Sequence, residues 1–394
     1  MAGIGSISTS TSVFYDLQMK DTIGHKMIST IECEKLDPQI SVTFCRNKMK
    51  SIVKKFPHFG SRIINHNWMT VDVDYNKLVY YEDKNRNDIV KKMLNTSFQD
   101  NIPAWLVIVS NDNCLIFICD HTYGDGALIS QALRSLFDDD SFNNTPKSSL
   151  KKKHSILSII ILFFKIIFLL FKRFKFLNTK HKDVASQTSQ IRLATLSLSK
   201  LKDIRDRFTC SDGSKISIND LIHAIIVKTN SLYFNKELIT SAAMFNLRGT
   251  SGDYDVQNKL GYLLLANQAK NDDLPEIVLK DIHDFMQFYK ETPATYIITY
   301  LLEKYYYWNR EGACKLLQDL NQSVDFVISN LSLNMKDKTL QRGIKVQNIH
   351  GTVTPCDASQ MYSVTSYGDN VNIFLTYRNE CINDISKLQH YFNE

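Results

Sequence analysis

The chain contains no Cys-x-x-Cys pair, no Gly-rich phosphate loop and no His-Glu-x-x-His. Its eight cysteines are scattered at 33, 45, 114, 119, 210, 314, 356 and 381. That spacing argues against a zinc site or a disulfide frame and points to reduced thiols in a cytosol-facing protein. The other two absences remove the P-loop nucleotide-binding and zinc-protease classes. No secretory signal is visible, since Met1 to Asp21 is polar and rich in Ser and Thr. The Asn-x-Ser/Thr matches at Asn95, Asn143, Asn321 and Asn330 therefore carry no expectation of glycosylation.

Acidic residues are missing from one place, residues 147–182, which hold ten Lys and Arg. The whole chain stands at +6, so without those ten the remainder stands at −4. The basicity is local and lacks the interleaved stacking aromatics of a nucleic-acid binder, so no nucleic-acid partner is expected. A long apolar run is missing too. Ile156 to Phe171 is sixteen residues, interrupted by Ser158 and Lys165. As a helix it reaches about 24 Å, short of the ~30 Å hydrocarbon core. Cations flank it at Lys151, Lys152 and Lys153 and at Lys172, Arg173 and Lys175. They suit anionic headgroups on one leaflet. Residues 151–176 are expected to form an interfacial or re-entrant anchor. The alternatives are a full span and a helix packed on the protein's own surface.

The sequence does hold one conspicuous stretch, His121-Thr122-Tyr123-Gly124-Asp125-Gly126. It follows the apolar run Cys114 to Cys119, which reads as a buried strand. It precedes residues 127–137, apolar at 128, 132, 133, 136 and 137, which read as an amphipathic helix. A histidine at a strand end, with an aspartate four residues on, suits a general base held in a cleft. Gly124 and Gly126 permit a turn that other residues resist. The bland alternative is a turn with a solvated histidine and an aspartate capping the next helix.

At 394 residues two domains are expected, and 44% hydrophobic content is ordinary for a globular chain. A helix is expected to end near Phe56-Pro57, with strand-like pieces at 68–73 and 78–81. Residues 102–109 and 115–119 read as a hairpin turned at 111–113. Residues 138–155 have a linker composition. In the second half a buried helix starts at Ile218, capped by Ser217 or Asn219. Strands are expected at 239–246, 326–329, 343–349, 361–367 and 371–378, with a final helix at 382–392. The mixture makes the class α/β or α+β.

Several pieces, in order, resemble the wax ester synthase/diacylglycerol acyltransferase (WS/DGAT) group, within the superfamily of CoA-dependent acyltransferases and condensation domains. They are Phe56-Pro57-His58-Phe59-Gly60-Ser61-Arg62, Trp68 to Val73, Pro103-Ala104-Trp105, His121 to Gly126, Asn219-Asp220, Asn246-Leu247-Arg248, Ser329-Asn330, and Ser366-Tyr367-Gly368 through Asp384. The chain departs from the group in two places. Asp120 stands where the group often has a first histidine, and Leu331-Ser332-Leu333-Asn334 replaces Val-Pro-Gly-Pro. The plant-type Asp-Phe-Gly-Trp-Gly motif is absent.

The resemblance implies two chloramphenicol-acetyltransferase-like lobes with mixed sheets and a substrate channel between them. It divides the chain into an N-terminal lobe (1–145), a basic apolar membrane-associated linker (146–190) and a C-terminal lobe (191–394). His121 would deprotonate an acceptor hydroxyl that attacks the acyl-CoA thioester directly. Asp125 would hold the loop by pairing with Arg62, the first choice, or Arg248. Gly126 belongs to the motif. Asn219, Asn246 and Asn330 are candidate oxyanion or substrate contacts, each with a structural alternative. The implied reaction is acyl transfer to a long-chain alcohol or diacylglycerol, with no metal and no cofactor beyond acyl-CoA as substrate. Alternatives are a sterol, terpenoid or short-chain alcohol acceptor, or a non-catalytic lipid-binding protein. A cytosol-facing place on the endoplasmic reticulum or a lipid droplet is expected.

Overall fold

The computed structural model describes residues 3–20, 25–34, 39–100, 102–139, 187–208, 215–246, 260–269, 275–333, 335–341, 343–355 and 357–393. Arg248 and the basic apolar segment 151–176 lie outside the described residues. Among the described residues no helix is long and apolar enough to cross a membrane.

In the first half the strands are β1 (Gly3–Ser6), β2 (Lys26–Cys33), β3 (Ser61–Ile64), β4 (Asn67–Thr70), β5 (Val79–Glu82), β6 (Trp105–Ser110) and β7 (Cys114–Asp120). In the second half they are β8 (Thr188–Ser197), β9 (Leu238–Asn246), β10 (Leu260–Gln268), β11 (Phe326–Ser332), β12 (Thr339–Leu340), β13 (Ile344–Val353), β14 (Gln360–Tyr367) and β15 (Asn370–Arg378). One six-stranded sheet runs β10-β9-β11-β14-β15-β8, the other β12-β13-β2-β7-β6-β5, and β1-β4-β3 form a small third. Both large sheets mix parallel and antiparallel pairs, the mixed α/β class expected.

β7 explains why its sequence is continuously apolar. Leu115, Phe117 and Cys119 face the main N-terminal core, while Ile116 and Ile118 face a second cluster with Ile89, Val90 and Met93 of the helix Arg86–Leu94. A strand covered on both faces loses the polar alternation of a half-exposed one. The hairpin β6–β7 forms as expected, with Asn113 in a left-handed conformation (φ 56°) at its turn.

The two halves interlock. β13 lies in the N-terminal sheet, antiparallel to β2 with Val353 opposite Met27. β8 begins at Thr188, ahead of the boundary expected at 191, and pairs with β15. The sheets meet through a buried amide pair. Asn348 Nδ2 donates to Asn372 Oδ1 at 3.0 Å and Asn372 Nδ2 donates to Asn348 Oδ1 at 2.8 Å. Beside it Glu32 of β2 is bridged by Arg192 of β8 and by Arg86 at 3.2 Å, with His350 Nε2 at 3.1 Å. Burial raises the Glu32 carboxyl, but His350 and the two guanidiniums outweigh it and hold the carboxyl down at about 2.

Candidate active site

β7 ends at Asp120 and the chain turns through the short 3-10 helix His121–Tyr123. Asp120 caps that turn, accepting from the Thr122 amide at 2.9 Å and from its hydroxyl at 2.5 Å. The residue that replaces a first histidine is thus tied to the turn. His121 is 7% exposed. Its amide donates to the His25 carbonyl at 2.7 Å, and its ring stacks on Phe14 with centroids 4.4 Å apart and planes at 12°. Phe14, from the helix Thr9–Lys20, had no signal in the sequence motif.

Gly124 follows at φ 151°, and a Cβ there would lie 2.6 Å from Leu128 Cδ2. Both the backbone angle and the space demand glycine. Asp125, fully buried, caps the helix Gly126–Arg134 by accepting from the amides of Ala127 and Leu128, each at 3.1 Å. Its helix-capping role, expected as the bland alternative, is therefore present in the structure. A Cβ on Gly126 would sit 3.2 Å from Leu331 Cδ2. This contact links the motif to the stretch where Leu331-Ser332-Leu333-Asn334 replaces the group's Val-Pro-Gly-Pro.

The pairing of Arg62 with Asp125 is corrected by the structure. The Arg62 guanidinium donates to the carbonyls of Gln99 and of Ile102 (2.9 Å) and to Asp100 Oδ1 (3.0 Å). It therefore clamps the loop before β6. The other residues of that motif buttress the His121 turn from behind. His58 Nε2 donates to the Tyr123 carbonyl at 3.1 Å, and Trp105 Nε1 donates to the Phe59 carbonyl at 2.7 Å. Tyr123 donates from its hydroxyl to Ser61 O at 2.5 Å and accepts from the Ala104 amide at 2.9 Å. Burial lowers His58 to about 4, so it is a neutral structural imidazole at pH 7.

His121, Asp125 and Gly126 open onto a cavity of about 140 Å³ between the two large sheets. The walls come from β2 and β13 on one side, β11 and β14 on the other, and the helix Gly126–Arg134. The cavity lies between the lobes, where a channel is expected. Asn330 lines it and donates from Nδ2 to Asn219 Oδ1 at 2.6 Å. Asn219 is a neighbour of Asn330 here, not the helix cap. Ser217 caps the helix Ile218–Phe234 in a capping box with Asp220, and Asp220 Oδ2 accepts from His283 Nδ1 at 2.8 Å. Asn246 ends β9, and its side chain is outside the described portion. Among the described residues no group of His, Cys, Asp and Glu is arranged to hold a metal ion. Sequence reasoning missed Ser363, Thr365 and His350, which line the cavity together with Ser329 of the Ser329-Asn330 piece. Only their alternation along strands could have marked them.

A histidine at the end of a buried strand thus opens between two interlocked mixed sheets, a fold similar to that of condensation-domain and chloramphenicol-acetyltransferase-like proteins. The chain overlays on the wax ester synthase/diacylglycerol acyltransferase from Marinobacter aquaeolei VT8 over 98% of its own length and 97% of the other, at TM-score 0.60 and 12% identity. It overlays on a trichothecene 15-O-acetyltransferase from Fusarium sporotrichioides over 98% and 93%, at TM-score 0.67 and 11% identity. With polyketide synthase associated protein 5 from Mycobacterium tuberculosis the coverage is 99% and 96%, at TM-score 0.61 and 13% identity. At these identities the likeness is one of fold. No curated protein matches by sequence. Residues 256–394, however, match the family model of the WS/DGAT C-terminal domain. Family match and fold together support an acyltransferase.

Proposed function

We propose that the protein transfers a fatty acyl group from acyl-CoA to the hydroxyl of a long-chain alcohol or diacylglycerol, with His121 as general base. The observation that carries this reading is the placement of His121, held by Phe14 and the His25 carbonyl in the wall of a largely apolar cavity. His121 takes the proton of the acceptor hydroxyl as its oxygen attacks the thioester carbon. The acyl–oxygen bond forms, the acyl–sulfur bond breaks, and the proton leaves with the thiolate as free CoA thiol. General-base assistance of this kind contributes about 10²–10⁴-fold. An apolar surround suits greasy substrates.

The test offers labelled palmitoyl-CoA with hexadecanol and diacylglycerol in parallel to wild-type and His121→Ala protein, and resolves the neutral lipids. Ester that depends on His121 is the expected result. No ester with either acceptor from folded wild-type protein would overturn the assignment.

The same reading places the protein on the cytosolic side of an endoplasmic reticulum or lipid-droplet membrane through residues 151–176. Its support is the ten cations around the sixteen-residue apolar run. Deleting 151–176 is expected to release the protein from microsomes, and a deletion variant that still pellets with them would refute the anchor.

A further inference from the structure

The cavity wall opposite the helix Gly126–Arg134 is the inner face of the C-terminal sheet. β14 contributes Met361, Ser363, Val364 and Thr365 to it, while Tyr362 belongs to the C-terminal core. Ser329 of β11 is the register partner of Ser363 and lines the same cavity. Thr365 is satisfied, accepting the Gly351 amide at 3.3 Å. Ser363 is 3% exposed, and its hydroxyl has no hydrogen-bond partner among the described residues.

A hydroxyl withdrawn from water and left unpaired weakens the folded state, and buried polar groups are rarely left so without a reason. Nothing in the sheet calls for a polar atom at this point. Met361 and Val327, of the same two strands, line the same cavity with apolar side chains. The geometry points to an oxygen of the bound substrate as the missing partner. We propose that Ser363, with Ser329 beside it, selects acyl acceptors that carry a second oxygen a few bonds from the reacting hydroxyl, as an acylglycerol does, over simple long-chain alcohols. The inference rests on the acyltransferase reading above. With its hydroxyl at His121, a simple alcohol offers only hydrocarbon to Ser363, whereas an acylglycerol offers an ester oxygen. A site built to hydrogen-bond a group rejects the analogue lacking it, because its own polar atom then stays unpaired.

The experiment compares wild-type, Ser363→Ala and Ser363→Thr full-length protein in steady state with palmitoyl-CoA. The acceptors are hexadecanol and 1,2-dioctanoylglycerol, and Tm is recorded for each variant. Wild type is expected to favour the diacylglycerol. Ser363→Ala is expected to raise KM for diacylglycerol by about tenfold and to leave hexadecanol within about twofold, so that the preference collapses. Ser363→Thr keeps the hydroxyl and is expected to keep the preference. Tm of Ser363→Ala should equal or exceed that of wild type, since the deleted hydroxyl has no protein partner to lose. Equal losses on both acceptors would place the hydroxyl on the acyl donor and overturn the proposal. So would a wild-type preference for hexadecanol, or a fall in Tm that accounts for the lost activity. Absence of turnover with either acceptor would instead overturn the acyltransferase reading, and this inference with it.

Discussion

At the scale of single residues, the His121 turn is over-determined. Asp120 caps its start, Gly124 supplies the backbone angle, and Asp125 caps the helix that follows. Asp125→Ala is expected to destabilise the fold by about 1 kcal/mol, while Asp125→Asn, which can still cap, should retain most of that stability. Chemical denaturation of the two variants separates these outcomes. Gly124→Ala is expected to cost roughly 1–3 kcal/mol, because the new methyl group meets Leu128 at 2.6 Å and the angle is strained. An unchanged denaturation midpoint in Gly124→Ala would show that the turn has another available conformation. His121 and Asp125 were legible in the sequence because their relation is local, four residues apart between a strand and a helix. Arg62 was not, since its acceptors are set by a loop about forty residues away. Nor was Phe14, whose only mark is its stacking partner.

At the scale of elements, hydrophobic pattern located most strands. The run 114–119 became Cys114–Asp120 and 371–378 became Asn370–Arg378. The piece expected at 68–73 is the shorter strand Asn67–Thr70, and the one at 78–81 begins as a helical turn, Tyr75–Leu78, before Val79–Glu82. The helix expected to end near Phe56-Pro57 is Val42–Lys55, preceded by helix Thr9–Lys20 and strand Lys26–Cys33. Pairing between distant strands left no trace in periodicity. Nothing local announces that Ile344–Val353 leaves its own lobe to pair with Lys26–Cys33. The Asn348–Asn372 pair marks that crossing in space. Asn372→Ala removes one partner and leaves Asn348 buried, so a loss of about 1–3 kcal/mol is expected in urea unfolding. A change within a few tenths of a kcal/mol of zero would mean the pair contributes nothing to joining the sheets.

At the scale of the whole molecule, buried imidazoles and one buried carboxylate set the response to acid. Burial lowers His58 and His223 to about 4, from an ordinary value of 6.5. Their folded-state values lie below the unfolded ones, so the unfolded chain binds the protons first. Their stabilising contribution is complete above pH 6.5 and is lost as pH falls from 6.5 through 4, by up to roughly 3 kcal/mol each. Glu32, held at about 2 against an ordinary 4.5, adds a second loss between those values. Stability should therefore be level from pH 8 to 7 and fall steeply below 6.5. Urea midpoints at pH 7, 5.5 and 4.5 test this. His223→Gln, which removes one of the titrating groups hydrogen-bonded to Ser241, should flatten the slope. A midpoint independent of pH across that range would show that these side chains reach water on protonation.

The most direct test of the central claim follows ester formation and CoA thiol release together, in wild-type protein and in His121→Ala with folding verified by circular dichroism. Wild type should form ester and thiol in equal amounts. His121→Ala should lose both by about 10²–10⁴-fold while keeping its fold. Ester formation at wild-type rate by the folded variant would contradict the assignment of His121 as the base.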